Sequence, residues 1–181
     1  MMTKMLSVKP ASDFPDFHLD GDIYQVDWND TGVLDPLSTS GLPPFSYALY
    51  LFETTKFHLG QIYRIFDADS FKAGIHDLYE RREPAATPSS RIWFIQFLVV
   101  LAFGSAFLSR KPCRSPPCSR FFARAMHLMP KRMPMGKESF LMMETLALVS
   151  LYLYALDYRE EAHINVSRKI QFSSFLLMVF L

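Results

Sequence analysis

Glu138-Ser-Phe-Leu-Met-Met-Glu-Thr-Leu-Ala-Leu-Val-Ser-Leu-Tyr-Leu-Tyr-Ala-Leu-Asp-Tyr-Arg-Glu-Glu-Ala162 decides the fold of this chain. It reads as a long helix that stops at a charged turn and restarts on Arg159-Glu160-Glu161-Ala162. Apolar or small residues fill almost every position from Phe140 to Leu156, more than the single stripe of a surface helix carries. A helix of that kind belongs at the centre of a bundle or in a bilayer.

Working outward, Ile92 to Leu108 has only Gln96 and Ser105 as clearly polar members. At ~1.5 Å per residue this run is roughly 26 Å long, short of a ~30 Å hydrocarbon core. Arg91 and Arg110 flank it on both sides and give no orientation. Earlier, Leu49, Phe52, Leu59 and Ile62 follow helical spacing from Phe45, with Pro43 and Pro44 in the tolerant first turn. A second helix starts near Asp67 or Asp69, either able to cap it, and buries Phe71, Ile75, Leu78 and Tyr79. Glu83-Pro-Ala-Ala-Thr-Pro-Ser-Ser90 is a linker whose Ser89 or Ser90 caps the third helix. After the loop Lys111-Pro-Cys-Arg-Ser-Pro-Pro117, residues Phe121, Phe122, Ala125, Met126 and Met129 mark a fourth helix. Its Arg120 and Arg124 are expected to face water, and Pro130 and Pro134 end it. No useful strand alternation occurs. The expected fold is all-α, an irregular helical bundle with a disordered acidic N-terminal arm.

At 181 residues the chain is one domain, or one domain with a tail. Half of it is hydrophobic, with 17 Phe and 10 Met, enough for a sizeable core. The net charge of +1 hides an asymmetry. Residues 1–40 carry seven Asp against Lys4 and Lys9, whereas residues 110–137 carry eight Lys and Arg and no acid. Such patterning bears on partners and solubility rather than on fold. Within residues 1–42 the acids interleave with Phe14, Phe17, Tyr24 and Trp28. That pattern suits a segment that docks its aromatics on a partner, or a solvated arm folded over the domain. The two cysteines, Cys113 and Cys118, are too few for a disulfide framework or a four-ligand zinc site, and they read as reduced thiols. A reducing compartment follows. Met1 to Val8 is too short an apolar run for a signal peptide.

No catalytic constellation stands out. The five histidines are scattered, and His58, on an apolar helix face, is expected in the core. Asp67 and Asp69 are explained by capping, and Glu160 and Glu161 by a helix start beside Arg159. Gly60, Gly74 and Gly104 are isolated and form no phosphate loop, and Ser105 and Ser150 lack a matching base. The basic run 110–137 could meet phosphate, but prolines split it and no base-reading signature accompanies it. A solvated loop and helix face is the simpler reading. No enzymatic role, no catalytic or metal residue and no cofactor are expected.

Four blocks then resemble the helical regulatory region of fungal zinc-cluster transcription factors, the middle homology region or fungal-specific transcription factor domain. Tyr47-Ala-Leu-Tyr-Leu-Phe-Glu-Thr-Thr-Lys-Phe-His-Leu-Gly-Gln-Ile-Tyr-Arg-Ile-Phe-Asp67 is similar to its opening helix and turn, and Leu101-Ala-Phe-Gly-Ser-Ala-Phe107 to its alanine-rich second block. Phe121-Phe-Ala-Arg-Ala-Met126 resembles the next helix, and the stretch from Glu144 to Ala162 the most recognisable block. The resemblance implies a nuclear, non-enzymatic transcription regulator spanning residues 43–165, with the transcription machinery or a family dimer partner as protein partners. Two departures accompany it. The family's DNA-binding module holds two zinc ions with six cysteines, which Cys113 and Cys118 cannot supply, so DNA contact would come through a module outside these residues or another chain. Beyond Asn165 the pattern breaks, and Val166-Ser167 is what an unspliced intron's first bases commonly encode. The competing expectation is a small membrane protein spanning at Ile92–Leu108 and Phe140–Leu156, which would place Glu144 in lipid at high cost. The reading of residues 166–181 as intron read-through predicts transcripts spliced immediately after the Asn165 codon. Continuous reads across that junction would refute it.

Overall fold

The computed structural model describes residues 38–60, 67–81, 87–109, 119–130 and 138–180. They form six helices: α1 (Phe45–Leu59), α2 (Ala68–Arg81), α3 (Pro88–Leu108), α4 (Ser119–Leu128), α5 (Glu138–Ala155) and α6 (Arg159–Phe180). No strand occurs among the described residues, and the all-α expectation holds. The expected acidic arm lies outside the described residues up to position 37, as do Ile62, the 111–117 loop, Cys113 and Cys118.

The middle of the bundle is α3. Every residue from 94 to 103 is buried, and α1, α4 and α5 all pack against this helix. Its run of Phe, Ile, Leu and Val is therefore accounted for by neighbours, with each fully buried large side chain contributing about 1.5–3 kcal/mol. Ser89–Leu108 is long and apolar enough to cross a membrane, yet 67% of it is enclosed by the fold. The helix opens on Thr87, whose side chain accepts from the Ser90 amide, with Pro88 at the first helical position. The expected caps, Ser89 and Ser90, thus lie inside the helix. A residue just before the proline is the one left free to turn the chain.

The stretch read as central, α5, is enclosed on two sides rather than all round. It lies between α3 and α6 and buries Met142, Leu146, Leu148, Val149, Tyr152 and Leu153. Phe140 and Tyr154 remain mostly exposed on its outer edge. Two helical neighbours explain its wide apolar surface. The charged break falls where expected. Asp157 takes a left-handed conformation at φ 67°; the Tyr158 amide donates to Leu153 O at 2.9 Å and the Asp157 amide to Tyr154 O at 3.1 Å. This is the reversing pattern of a Schellman cap, with Asp where glycine is commonest. The Arg159 Nε donates to Asp157 Oδ1 at 2.7 Å across the turn.

The buried face of α1 is Ala48, Leu51, Phe52 and Thr55, not the expected Leu49, Phe52 and Leu59 set. Leu49 and Leu59 are only partly buried. Small residues win because the α1 and α3 backbones nearly touch. A Cβ on Gly104 would stand 2.4 Å from the Leu51 carbonyl oxygen. The Thr55 hydroxyl lies 3.0 Å from Leu51 O and 2.9 Å from Val100 O, within donating distance of both helices. Pro43 and Pro44 precede α1 rather than entering it, and the Ala48 amide donates to Pro44 O.

Of the expected α2 face, Phe71, Ile75 and Leu78 are buried, whereas Tyr79 is only partly buried, at its edge. Asp67 caps it, accepting from the Ser70 amide at 3.2 Å. Gly74 lets the helix lie against the Trp93 indole, 2.6 Å from where a Cβ would be. The Tyr79 hydroxyl donates to Pro43 O at 2.5 Å, and burial pushes its pKa up to about 12.

Gly104→Ala is expected to push α1 off α3. The clash is with backbone, so the cost should reach the upper part of the ~1–3 kcal/mol range for overpacking. Ser105→Ala, which removes only a hydroxyl donating to Leu101 O, should cost less than ~1 kcal/mol. Urea denaturation of both variants measures the difference, and equal midpoints would contradict the close crossing.

Candidate functional site

The most unusual side chain in the described structure is Arg124, on α4. It was expected in water but is 1% exposed, the largest fully buried side chain of the bundle. The physical reason is register. Phe121, Ala125 and Leu128 are buried, and position 124 shares their side of the helix, three residues from Phe121 and four from Leu128. A guanidinium there must find acceptors or pay a large desolvation cost. It finds them in the chain entering α1: Nη1 donates to Ser40 O at 2.9 Å, and Nη2 donates to Ser38 O. The guanidinium carbon also lies 5.3 Å from the Phe94 ring centroid, a cation–π contact with α3. One side chain thus joins the root of the acidic segment to both α4 and the central helix. Arg120 conforms to expectation; it is exposed, over the Phe121 ring.

The aromatic residues proposed to contact partners, Phe14, Phe17, Tyr24 and Trp28, lie outside the described residues. What is described of their segment is the turn at residues 38–42, where the Ser40 amide donates to Ser38 Oγ at 3.0 Å and Gly41 has φ 76°. Arg124 grips the two carbonyls that this turn presents.

A second polar feature sits between α3 and α5. Gln96, 1% exposed, donates through Nε2 to Glu144 Oε2 at 3.5 Å. Burial raises the Glu144 carboxyl above its ordinary 4.5, and the Gln96 hydrogen bond offsets this in part. The proton is therefore held more tightly in the folded chain than in the unfolded one.

The remaining candidates do not assemble into reactive chemistry. His58 is exposed rather than in the core, its ring stacked on Phe107 with centroids 4.5 Å apart. Ser105 and Ser150 donate to the carbonyls of Leu101 and Leu146, four residues back in their own helices. Asp69 and the Glu160–Glu161 pair stand in the first turns of α2 and α6, exposed to solvent. An open cleft of ≈ 550 Å³ between α2, α3 and α5 has Trp93, Leu78 and Leu141 on its floor. Its rim hydroxyls are engaged in caps and cross-links: Ser70 Oγ donates to Asp67 Oδ2 at 2.5 Å, and Ser89 Oγ to Glu138 Oε1 at 3.1 Å. Among the described residues no group of three or more His, Cys, Asp or Glu is placed to hold a metal ion.

No family model, no curated protein and no solved structure matches this chain.

The sign of the Glu144 shift gives a pH test. A carboxyl with a raised folded pKa favours the fold below its unfolded value, and that contribution disappears as pH rises through the folded value. Glu144→Gln keeps an acceptor for Gln96 and removes the half-buried charge. Its melting temperature should exceed that of the parent at pH 7, with the gain vanishing below about pH 4. No gain at pH 7 would place the carboxylate in water, and a gain that persists unchanged in acid would show that it does not come from the charge.

Proposed function

We propose that the chain is part of a fungal transcription regulator, a non-enzymatic helical regulatory module working through protein contacts in the nucleus. The observation that supports this reading is the hold of Arg124, on α4 and against Phe94, on the carbonyls of Ser38 and Ser40, which follow the acidic stretch in sequence. The order of helices lends support. The four resembling blocks fall on α1, on the end of α3, on α4, and on α5 with the turn into α6. In this reading residues 1–42 form an acidic arm whose Phe14, Phe17, Tyr24 and Trp28 meet the transcription machinery. Acidic residues would keep those aromatics in solution and available until a partner buries them. The bundle is the platform that restrains the arm by its root. Sequence-specific DNA contact, and the zinc that belongs with it, come from a module outside these residues or from another chain.

The test tethers segments to a heterologous DNA-binding domain upstream of a reporter. Residues 1–42 alone should activate, and the whole chain should activate less because its arm is held. Arg124→Met keeps length and apolar contact while losing both carbonyl bonds, so it should raise whole-chain output toward that of the free arm. It should also cost about 2–3 kcal/mol of stability, the scale of hydrogen bonds to a charged group, read by denaturation of the purified protein. A silent reporter with residues 1–42 removes the activating role, and unchanged output from Arg124→Met removes the restraint.

A further inference from the structure

The residues from Ser38 to Phe45 are half-buried or exposed, none of them fully enclosed, yet two helices hold them. At one end Arg124 of α4 donates through Nη1 to Ser40 O at 2.9 Å and through Nη2 to Ser38 O. Leu42 packs on the core between the two holds. At the other end α2 takes over. The Tyr79 hydroxyl donates to Pro43 O at 2.5 Å, and the Phe45 ring stands edge-on to His76 at 4.6 Å and to Tyr79 at 5.4 Å.

The stretch between these holds is short and stiff. Proline fixes its own φ and drives a preceding residue to extended backbone, and Pro43 and Pro44 stand in succession, with Pro44 at φ −55° and ψ 149°. The turn before them is closed by the Ser40 amide donating to Ser38 Oγ at 3.0 Å. Arg124 and Tyr79 therefore grip carbonyls only three residues apart, at Ser40 and Pro43, in a segment with little freedom to absorb a displacement. On the other side of the bond, α2 has limited attachments. Its N-terminal half is held by Phe71, stacked on Phe52 of α1 at 5.2 Å, and by Gly74 against the Trp93 indole of α3. Its C-terminal half adds, beside the buried Ile75 and Leu78, the Tyr79 bond to Pro43.

We infer that residues 38–45 are a strap that couples the grip of Arg124 to the seating of α2. Release of the Ser38 and Ser40 carbonyls loosens the C-terminal half of α2, and lifting α2 loosens the strap at Arg124. The strap is the two-state element that both ends bias, and linkage makes the coupling equal in either direction. A pull on the chain preceding Ser38 is then felt at α2, which forms one wall of the cleft floored by Trp93, Leu78 and Leu141. This stands apart from the transcriptional reading and does not require it.

Native-state hydrogen exchange of the full chain, followed by NMR, tests the coupling from both ends. Tyr79→Phe keeps the ring and removes only the hydroxyl. It should speed exchange of the Ser40 amide and of the Arg124 guanidinium protons roughly threefold, the scale of one lost hydrogen bond, although Ser40 lies three residues before that bond. Amides of α6, such as that of Ala162 donating to Tyr158 O, should keep their rates. From the other end, Arg124→Met should accelerate the α2 amides from Ile75 to Arg81 by a larger factor than the amides of α6. The two changes together should speed α2 by less than the product of their separate effects, because either one already frees the strap. Should Arg124→Met fail to fold, Tyr79→Phe and its readout at Ser40 and Arg124 decide alone. The inference is overturned by Ser40 and Arg124 protons indifferent to Tyr79→Phe, by α2 amides accelerated no more than those of α6 in Arg124→Met, or by strictly multiplicative effects in the double variant.

Discussion

Removing water from the whole circumference of α3 is the condition under which the other helices find their places. From 94 to 103 no position offers a polar face except Gln96, and that one is turned to Glu144. A helix of this composition is insoluble by itself and must be wrapped. The helices α1, α4 and α5 do so, α2 packs beside α1, and α6 covers the far side of α5. Closeness is achieved unequally. Against α1 the contact is backbone on backbone at Gly104 and Leu51, whereas α4 and α5 meet through rings: the Tyr152 ring stacks on Phe122 with centroids 4.3 Å apart and stands edge-on to Phe103 at 5.0 Å. The tight joint leaves little room for sliding, while the aromatic joints tolerate small adjustments.

Within this apolar frame the buried guanidinium of Arg124 gives specificity of a different kind. Hydrophobic contacts are non-directional and would accept the chain before α1 in many positions. Two hydrogen bonds to the carbonyls of residues 38 and 40 accept only one. Arginine suits the task because its planar fork reaches two acceptors at once while its face lies on an aromatic ring. A lysine could not do both.

How much of this was readable beforehand depends on the range over which each residue finds its partners. The helices themselves, the α2 face of Phe71, Ile75 and Leu78, and the break before Arg159 are set by neighbours within four residues, and periodicity exposes them. Arg124 is different: its acceptors lie 84 and 86 residues away. A cation read in isolation is assigned to water, although its position in the same register as Phe121, Ala125 and Leu128 was a usable warning. Gly104 and Thr55 were missed for the same cause, since their partners Leu51 and Val100 belong to the other helix of the pair. Apolar content marks both α3 and α5 as interior helices. Content does not distinguish a helix flanked on two sides from one enclosed all round.

The seat of Trp93 has an optical consequence. Its indole is covered by Gly74 and Phe71 of α2 and runs parallel to the Phe97 ring 5.6 Å away. Helix α2 touches the rest of the bundle chiefly through such side chains, and an element held that lightly can open before the whole fold does. If it lifts, the indole loses its lid and its emission moves to the red. With Trp28, the only other tryptophan, replaced by phenylalanine, the colour of the remaining fluorescence becomes an intrinsic gauge of whether that one helix is seated.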